Sequence, residues 1–480
     1  MAEQDLINER IAKLNAFRAA GIEPYPSSSR RTHRAKEIVL GLTGVHAVGR
    51  ILGRRVQGGL MFIDLWDETG KIQVVVRADT FPKYEIYRDN LDLGDFIEAG
   101  GNTFTTSRGE LSIDASSLAL LAKGIRPLPD KWSGLEDVEI RLRKRYLDML
   151  ANPEVRDIFR KKALFWDTLR GALKKAGYLE VDMPALESVA GGADAEPFVT
   201  HHNALDVDFN LRISLELPLK KMLVGGFERV FEIGRVFRNE GIDREHLQDY
   251  IQCEFYAAYD DYKDLMKFVE KTYKAMVKKT TGGLTTQWQG HTIEWGGKWP
   301  KIDYAKIFKE KTGIDCLTAT FEELAEKARS LGAKMGRGMS RGRLIDAIYK
   351  KAVRPGLIQP AFLINHPLEL SPLAKRSRKN GQIVERLQIL ACGSEIGNGF
   401  SELNDPIDQR TRFEEQMLMR AQGDNEAQAM DEEFVEALEH GMPPAAGFGL
   451  SERFFSILVD KPIRETVVFP LMKPRKQSHI

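Results

Sequence analysis

The chain has 480 residues, 42% of them hydrophobic and 29% charged, with a formal net charge of +1 at pH 7. That length predicts two or three domains rather than one core, and no apolar run reaches a membrane span. The start, Met-Ala-Glu-Gln-Asp, carries no signal peptide. Cys253, Cys316 and Cys392 form an odd set without CxxC spacing, which argues against a zinc site and fits a reducing, cytoplasmic setting. Near-neutral charge leaves nucleic-acid binding open, because a binder can be neutral overall and basic in patches.

Residues 3–20 place Leu6, Ile11, Leu14 and Phe17 at helical spacing, and Gly21 and Pro24 stop that helix. SSSRRTHRAK then forms a basic stretch, readable equally as a solvated linker or as a phosphate-contacting strip. From Val45 the period changes to two. AVGRILGRR, LMFIDLWD, KIQVVVR, DFIEAGG and GELSIDAS predict five short strands with turns at Gly58-Gly59, Glu68-Thr69-Gly70 and Arg108-Gly109. Such a run fits a Greek-key barrel of the OB type, a common oligonucleotide binder. On it Phe62, Arg55 and Gln73 offer a stacking platform, a guanidinium and an amide. Used alone, Phe62 reads equally well as core.

Two prolines in IRPLPDKW mark a boundary, which predicts residues 1–126 as a helix plus barrel and 127–480 as a second domain with a linker at 127–150. A helix is expected from about Pro153 to Ala176, with Ile158, Phe159, Phe165, Leu169 and Leu173 on one stripe, ended by Gly177. The strand YLEVDMP follows. Gly191 and Gly192 permit close backbone approach to a ligand. Glu216 sits in a segment read as an apolar strand, an expensive choice unless it meets a cation. His201 and His202 are adjacent on a strand and point to opposite faces, which argues against a shared metal.

Phe231 to Tyr256 predicts two strands, Arg229–Phe237 and Ile251–Tyr256, joined by a charged loop. Glu254 and Tyr256 share one face, with Arg238 and Glu240 at the end of the first strand. One cation, several carboxylates and a phenol on one surface suit a zwitterion and a polyphosphate better than a core. The insert at 280–355 contains amphipathic helices and a Trp/Gly-rich excursion but no chemistry arguable from its residues. Glu395, Asn398, Phe400 and Glu402 stand at nearly even spacing on a strand-like run, and a glycine-rich strand meets a helix at Arg453.

FEIGR.FRNEG followed by EFY resembles the second signature motif of class II aminoacyl-tRNA synthetases, in the form found in lysyl-tRNA synthetases. THHNALD with LRI..EL, SELNDP and GMPPAAGFGLSER extend the resemblance from about Leu6 to Pro474 in the family's order. It implies an α+β fold: an OB-type anticodon-binding barrel and a catalytic domain whose antiparallel sheet is flanked by helices. The Pro153 helix with the strand up to Pro184 would be the first motif, which forms a homodimer interface. The implied reaction is activation of L-lysine by ATP with Mg²⁺, then transfer of the lysyl group to tRNA(Lys).

The resemblance also assigns roles. Arg238 bridges the lysine carboxylate and the α-phosphate, and Arg453 binds the γ-phosphate and packs on adenine. Gly192, Glu216 and Glu254 line the lysine site, with Glu216 taking the α-ammonium. Glu402 and Tyr256 take the ε-ammonium, and Asn398 and Phe400 complete that pocket. Glu240 and Tyr250 face adenine, His246 contacts ATP, and Glu395 holds the metal. Arg55, Phe62 and Gln73 read the anticodon.

Four positions depart from the family. A glutamate usual as a second metal ligand is Gln388, Ser451 stands near a third motif glycine, Glu245 replaces a loop arginine beside Arg244, and Glu196 replaces another arginine. Three rival readings follow: an aspartyl- or asparaginyl-type synthetase, which would want a cationic side-chain pocket; a lysine ligase acting on a protein substrate, which would usually lack the barrel of residues 45–122; and a catalytically silent RNA-binding paralogue.

Overall fold

The computed structural model describes residues 3–129, 135–241, 246–333, 336, 339–424 and 427–474. Arg244 and Glu245 lie outside them. The chain parts into two compact units, Met1–Ala151 and Asn152–Ile480, so the division falls at the far end of the expected 127–150 linker.

In the first unit, strands β1 (Val45–Gln57), β2 (Leu60–Trp66), β3 (Lys71–Arg77), β4 (Phe96–Thr105) and β5 (Leu111–Ala122) close a barrel in the order β1-β2-β3-β5-β4. Alternation does the sorting. Met61, Ile63 and Leu65 of β2 and Ile72, Val74 and Val76 of β3 fill the interior, while residues of the other parity face outward. The helix Glu3–Ala19 buries Ile7, Arg10, Leu14 and Phe17. Of the residues expected on that stripe, Leu6 is only half-buried and Ile11 is 40% exposed. The Arg10 guanidinium takes their place by donating to the carbonyls of Leu93 and Gly124. Two arginines of the basic stretch are spent on the barrel, Arg30 on Glu98 and Arg31 on Asp67.

In the second unit an eight-stranded sheet carries the architecture. Its members are β6 (Leu179–Glu180), β10 (Arg229–Phe237), β11 (Asp249–Ala258), β14 (Lys301–Asp303), β15 (Ala361–Ile364), β16 (Arg386–Ala391), β17 (Ser394–Ser401) and β18 (Ala445–Ser451). They lie in the order β14-β15-β16-β17-β18-β11-β10-β6, antiparallel except for the β14–β15 and β6–β10 pairs. Strands β7 (Leu186–Glu187), β8 (Val199–His202) and β9 (Val207–Leu211) form a small separate sheet, and β12 (Thr285–Trp288) and β13 (His291–Glu294) a hairpin.

One face of the large sheet packs on helices Pro153–Lys175 and Tyr262–Thr281 through Phe165, Leu169, Val269, Tyr273 and Phe448. Pro153 opens the first of these helices without losing a hydrogen bond. Of the stripe expected on it, Phe165, Leu169 and Leu173 are buried and Ile158 packs against the same core, with Val155 and Trp166 buried besides and Phe159 half-buried. The expected strand YLEVDMP shrinks to Leu179–Glu180. The insert builds its own small core from helices Tyr304–Thr312, Phe321–Ser330 and Arg341–Ala352.

One expectation is overturned here. Glu216 does not lie in a strand but opens the helix Glu216–Val224. Pro218 has no N–H for a ladder yet fits a first helical turn, and Glu216 and Lys220, four apart, share one helix face. No helix among the described residues is long and apolar enough to cross a membrane.

Candidate active site

Antiparallel register aligns the site across four strands. Glu254 on β11 pairs with Gly449 on β18, which pairs with Asn398 on β17, which pairs with Gln388 on β16. The next row runs Tyr256, Gly447, Phe400, Arg386. Directly opposed residues share a face, so each row has side chains at its ends and a glycine between them. The result is a trough, the floor of a cavity of about 330 Å³. Gly447 has to be glycine. A Cβ there would lie 2.2 Å from the Tyr256 ring and 2.4 Å from Glu402 Oε1.

At one end of the trough the carboxylates are tied down. Glu254 Oε1 accepts from Ser214 Oγ (2.7 Å), the Leu215 amide (3.0 Å) and Gln252 Nε2 (2.6 Å), and its Oε2 from the Tyr256 hydroxyl (2.8 Å). Burial and the surrounding carboxylates push the Tyr256 phenol well above its ordinary range, so it stays a donor. Glu216 borders the cavity at the head of its helix, facing Gly192, whose φ of +83° lets the backbone pass close to Ser214 and Glu216. Burial raises the Glu216 carboxyl to about 7, with the Lys220 ammonium pulling it back down. Glu402 lies beneath the floor, fully buried, 2.5 Å from Lys220 Nζ. That contact satisfies charge, yet neither Glu402 oxygen accepts a well-angled hydrogen bond.

Cations gather at the other end. Arg238 donates through Nε to the Ile213 carbonyl (3.2 Å) and lies 5.6 Å from the Tyr250 ring centre. Tyr250 pairs with Val236 on β10 and faces the same way as Glu254 and Tyr256. Arg453 opens the last helix, its amide capped by Ser451 Oγ (3.3 Å). Ser451, the shortfall in the glycine pattern, thus makes the strand-to-helix turn. Arg238, Tyr250 and Arg453 also line an adjoining cavity of about 240 Å³ with Glu240 and His246. Glu196, where an arginine is usual, offers its backbone carbonyl to the Asn239 amide (2.7 Å).

Glu395 and Asn398 are three apart yet both border the main cavity. The β16–β17 ladder shifts register between Ile389 and Leu390, and such a bulge re-aims one side chain. Gln388 donates from Nε2 to Glu395 Oε2 (2.7 Å), so it orients that carboxylate. No cluster of three metal-ligating His, Cys, Asp or Glu side chains occurs among the described residues. Glu395 alone still fits Mg²⁺, which commonly takes one or two carboxylates, water and substrate phosphates.

Sequence reasoning missed Lys220, Arg386, Gln252, Ser214 and Gly447. Arg386 holds Asn398 Oδ1 from Nε (2.8 Å) and anchors on Ser371 and the Leu370 carbonyl. Lys220 was legible once ELPLK is read as helix, four residues after Glu216. The two histidines stay apart from this site: His201 bonds Asp208 (2.9 Å) on the small sheet.

On the barrel, Arg55 stands opposite Phe62, its guanidinium 5.8 Å from the ring centre. Phe62 is only half-buried and outside the interior cluster, so it is not core. Gln73 shares that face but is 3% exposed, donating to Glu110 (2.9 Å) and accepting from Ser112 (2.9 Å).

The family tRNA synthetases class II (D, K and N) matches residues 137–473, and the OB-fold nucleic acid binding domain matches residues 45–121. A lysine–tRNA ligase of Roseiflexus castenholzii is 45% identical, covering 99% of this chain and 100% of its own length. The lysine–tRNA ligase of Moorella thermoacetica is 43% identical, with 99% of each chain covered. That of Bacillus subtilis is 40% identical over 98% of each. The chain belongs to the lysine–tRNA ligase family of class II tRNA synthetases, built from a catalytic domain and an OB-fold nucleic-acid-binding barrel.

Proposed function

We propose that the chain activates L-lysine with ATP to lysyl-adenylate and transfers the lysyl group to the 3′ end of tRNA(Lys). The observation that carries this is the polarity of the trough: Glu216 and Glu254 border it at one end, with Glu402 buried beneath the floor against Lys220, and Arg238 and Arg453 border it at the other. A lysine laid along it meets carboxylates with both ammonium groups, and its carboxylate points at Arg238. Asn398, held by Arg386, and the ring of Phe400 flank the alkyl chain.

The first step is in-line attack of the lysine carboxylate on the α-phosphorus, forming a C–O–P bond and releasing pyrophosphate. The protein contributes position and charge. Arg238 draws the two reacting anions together, and its forked donors suit carboxylate and phosphate. Arg453 and Tyr250 flank the adenine, Glu240 hydrogen-bonds it, and His246 meets the phosphates. Mg²⁺, when bound at Glu395, neutralises phosphate charge. In the second step a ribose hydroxyl of the tRNA displaces AMP. Arg55, Phe62 and Gln73 present the anticodon platform. We further propose a cytoplasmic homodimer formed through the region of the Pro153–Lys175 helix, which sedimentation of the purified chain tests.

Pyrophosphate exchange with ATP and Mg²⁺ tests the main reading. Exchange stimulated by lysine and not by aspartate or asparagine is expected. Exchange with either of those instead, or with no amino acid at all in a folded protein that binds tRNA, overturns it.

A further inference from the structure

Lys220 is 0% exposed, and no step above uses it. Its Nζ lies 2.5 Å from Glu216 Oε1 and 2.5 Å from Glu402 Oε2. Three aromatic rings surround it, with centres 5.3 Å (Phe400), 5.8 Å (Phe434) and 6.0 Å (Tyr256) away. Burying an ammonium is costly unless it is paired, and here both partners are pocket carboxylates. The charge count explains the arrangement. Glu216, Glu254 and Glu402 face two substrate ammonium groups; with Lys220 among them, two negative charges remain for two positive ones.

We propose that Lys220 is a positioning residue that sets amino-acid selectivity, bridging Glu216 and Glu402 so that each keeps its free lone pairs for one ammonium group of the substrate. The inference rests on the lysine-activating reading above. The bridge ties the α-ammonium end of the pocket to the ε-ammonium end, because one side chain fixes both acceptors. Without it, three carboxylates would crowd a dry site and one would take up a proton. That proton would have to leave before lysine could bind.

The groups facing Lys220 make the sign definite. Its own helix gives Glu216, β11 gives Glu254 and Tyr256, and the residue after β17 gives Glu402. Arg386 on β16 acts on Glu216 from a distance, and the helix Glu432–Glu439 contributes Phe434, with Glu433 turned out toward Lys221. The Lys220 ammonium therefore pulls the Glu216 and Glu402 carboxyls back toward the ionised form, while the Tyr256 phenol stays protonated.

The test is Lys220→Met in lysine-dependent pyrophosphate exchange at pH 7.0 and 8.5 (both set by the experimenter, roughly bracketing the neutral range where a raised carboxyl titrates). At the lower pH the lysine KM should rise about 30-fold or more, and it should fall by about tenfold per unit as pH rises, the slope of one proton. The ATP KM should stay within about twofold. A wild-type lysine KM, an increase equal at both pH values, or an ATP KM that rises in step overturns the inference. Stabilisation of the variant by ATP against heat shows that it is folded. Should it not fold, Lys220→Arg decides: it keeps the charge, so its lysine KM should follow the wild-type pH dependence, and an added one-proton slope there overturns the bridge. Wild-type exchange that lysine fails to stimulate overturns the functional reading itself, whereas a lysine-dependent wild type with an unaltered Lys220→Met removes this inference alone.

Discussion

Replacing Gly447 by alanine adds a single methyl group at the place where the trough is narrowest. Its Cβ would lie 2.2 Å from Tyr256 Cε1, 2.4 Å from Tyr256 Cδ1 and 2.4 Å from Glu402 Oε1. Ordinary carbon contacts lie near about 3.5–4.0 Å, so the ring and the carboxylate must retreat by more than an ångström. Both are buried, and Tyr256 borders the cavity, so the ring is displaced at the expense of the substrate space. Overpacking of this kind costs about 1–3 kcal/mol of stability, which a domain of this size should survive. Function should suffer more, since a displacement of about 1 Å in a positioned group costs on the order of 100-fold. Tyr256 and Glu402 stand at the ammonium end, so the loss should appear as a lysine KM about 100-fold higher, with the ATP KM little changed. Separate lysine and ATP titrations of pyrophosphate exchange measure this, with thermal melting as the control for folding. Gly449→Ala is the companion: its Cβ would meet Glu254 Cγ at 3.4 Å, a tolerable contact, so its melting temperature should stay near wild type. A folded Gly447→Ala with a lysine KM within threefold of wild type would refute the trough as the lysine site.

Three further outcomes are expected. Glu402→Gln removes the buried charge that a substrate ammonium would pair with, a loss of a few kcal/mol, so lysine efficiency in exchange should fall by about 100-fold; unaltered efficiency would move the ε-ammonium elsewhere. Gln388→Glu sets a second carboxylate against Glu395, where the amide now donates across 2.7 Å. Without metal one of the pair takes up a proton, and with Mg²⁺ both can ligate, so the Mg²⁺ concentration for half-maximal exchange should drop several-fold; an unmoved magnesium titration counts against Glu395 as the metal site. Phe62→Ala removes a stacking surface worth about 1–3 kcal/mol per base, so tRNA should bind at least fivefold more weakly in a filter assay while tRNA-free exchange is unchanged. Equal binding by the variant would mean that Phe62 does not meet the anticodon.

The parts of this fold legible in the sequence are those in which chemistry repeats with a strict period. Alternation along β2 and β3 separates Phe62 from Met61 and Ile63, and the two-residue step in β11 puts Tyr250, Glu254 and Tyr256 on one face. Glu216 was misread because a run of apolar residues suits a strand or a buried helix equally, and Pro218 was the overlooked signal. The Leu6–Ile11 stripe failed for another reason: Arg10, a charged residue, takes a buried position by finding two backbone carbonyls 83 and 114 residues away. No local pattern announces such partners. Gly447 belongs to the same class, since its need for glycine comes from Tyr256 and Glu402 on other strands. Gln73 shows the limit of reading a role from residue type alone. Its amide is committed to Glu110 and Ser112, so the base contact proposed for it has only the donor capacity they leave.

The departures from the family pattern bear unequally on the chemistry, and position in the trough explains why. Attack on the α-phosphorus needs two anions held together, and the groups fit for that are Arg238 and Arg453, both present at the cationic end. Gln388 stands where the family has a second carboxylate but keeps Glu395 oriented, so the carboxylate proposed to hold Mg²⁺ is retained. The glycine pattern is one residue short where the backbone turns into the helix at Arg453, and Ser451, near the expected third glycine, accepts from the Arg453 amide through its hydroxyl. It fixes the start of the helix that aims the arginine. At the opposite end nothing on the substrate contacts is altered: Glu216, Glu254, Tyr256 and Glu402 stand together, with Lys220 between two of them. An aspartate side chain offered to that end would bring an anion among buried carboxylates, where like charges repel strongly in a dry site. On the proposed function, selectivity for a diammonium substrate follows from Glu216, Glu254, Tyr256 and Glu402, and loss of either arginine should end lysine-dependent exchange without loosening that selectivity.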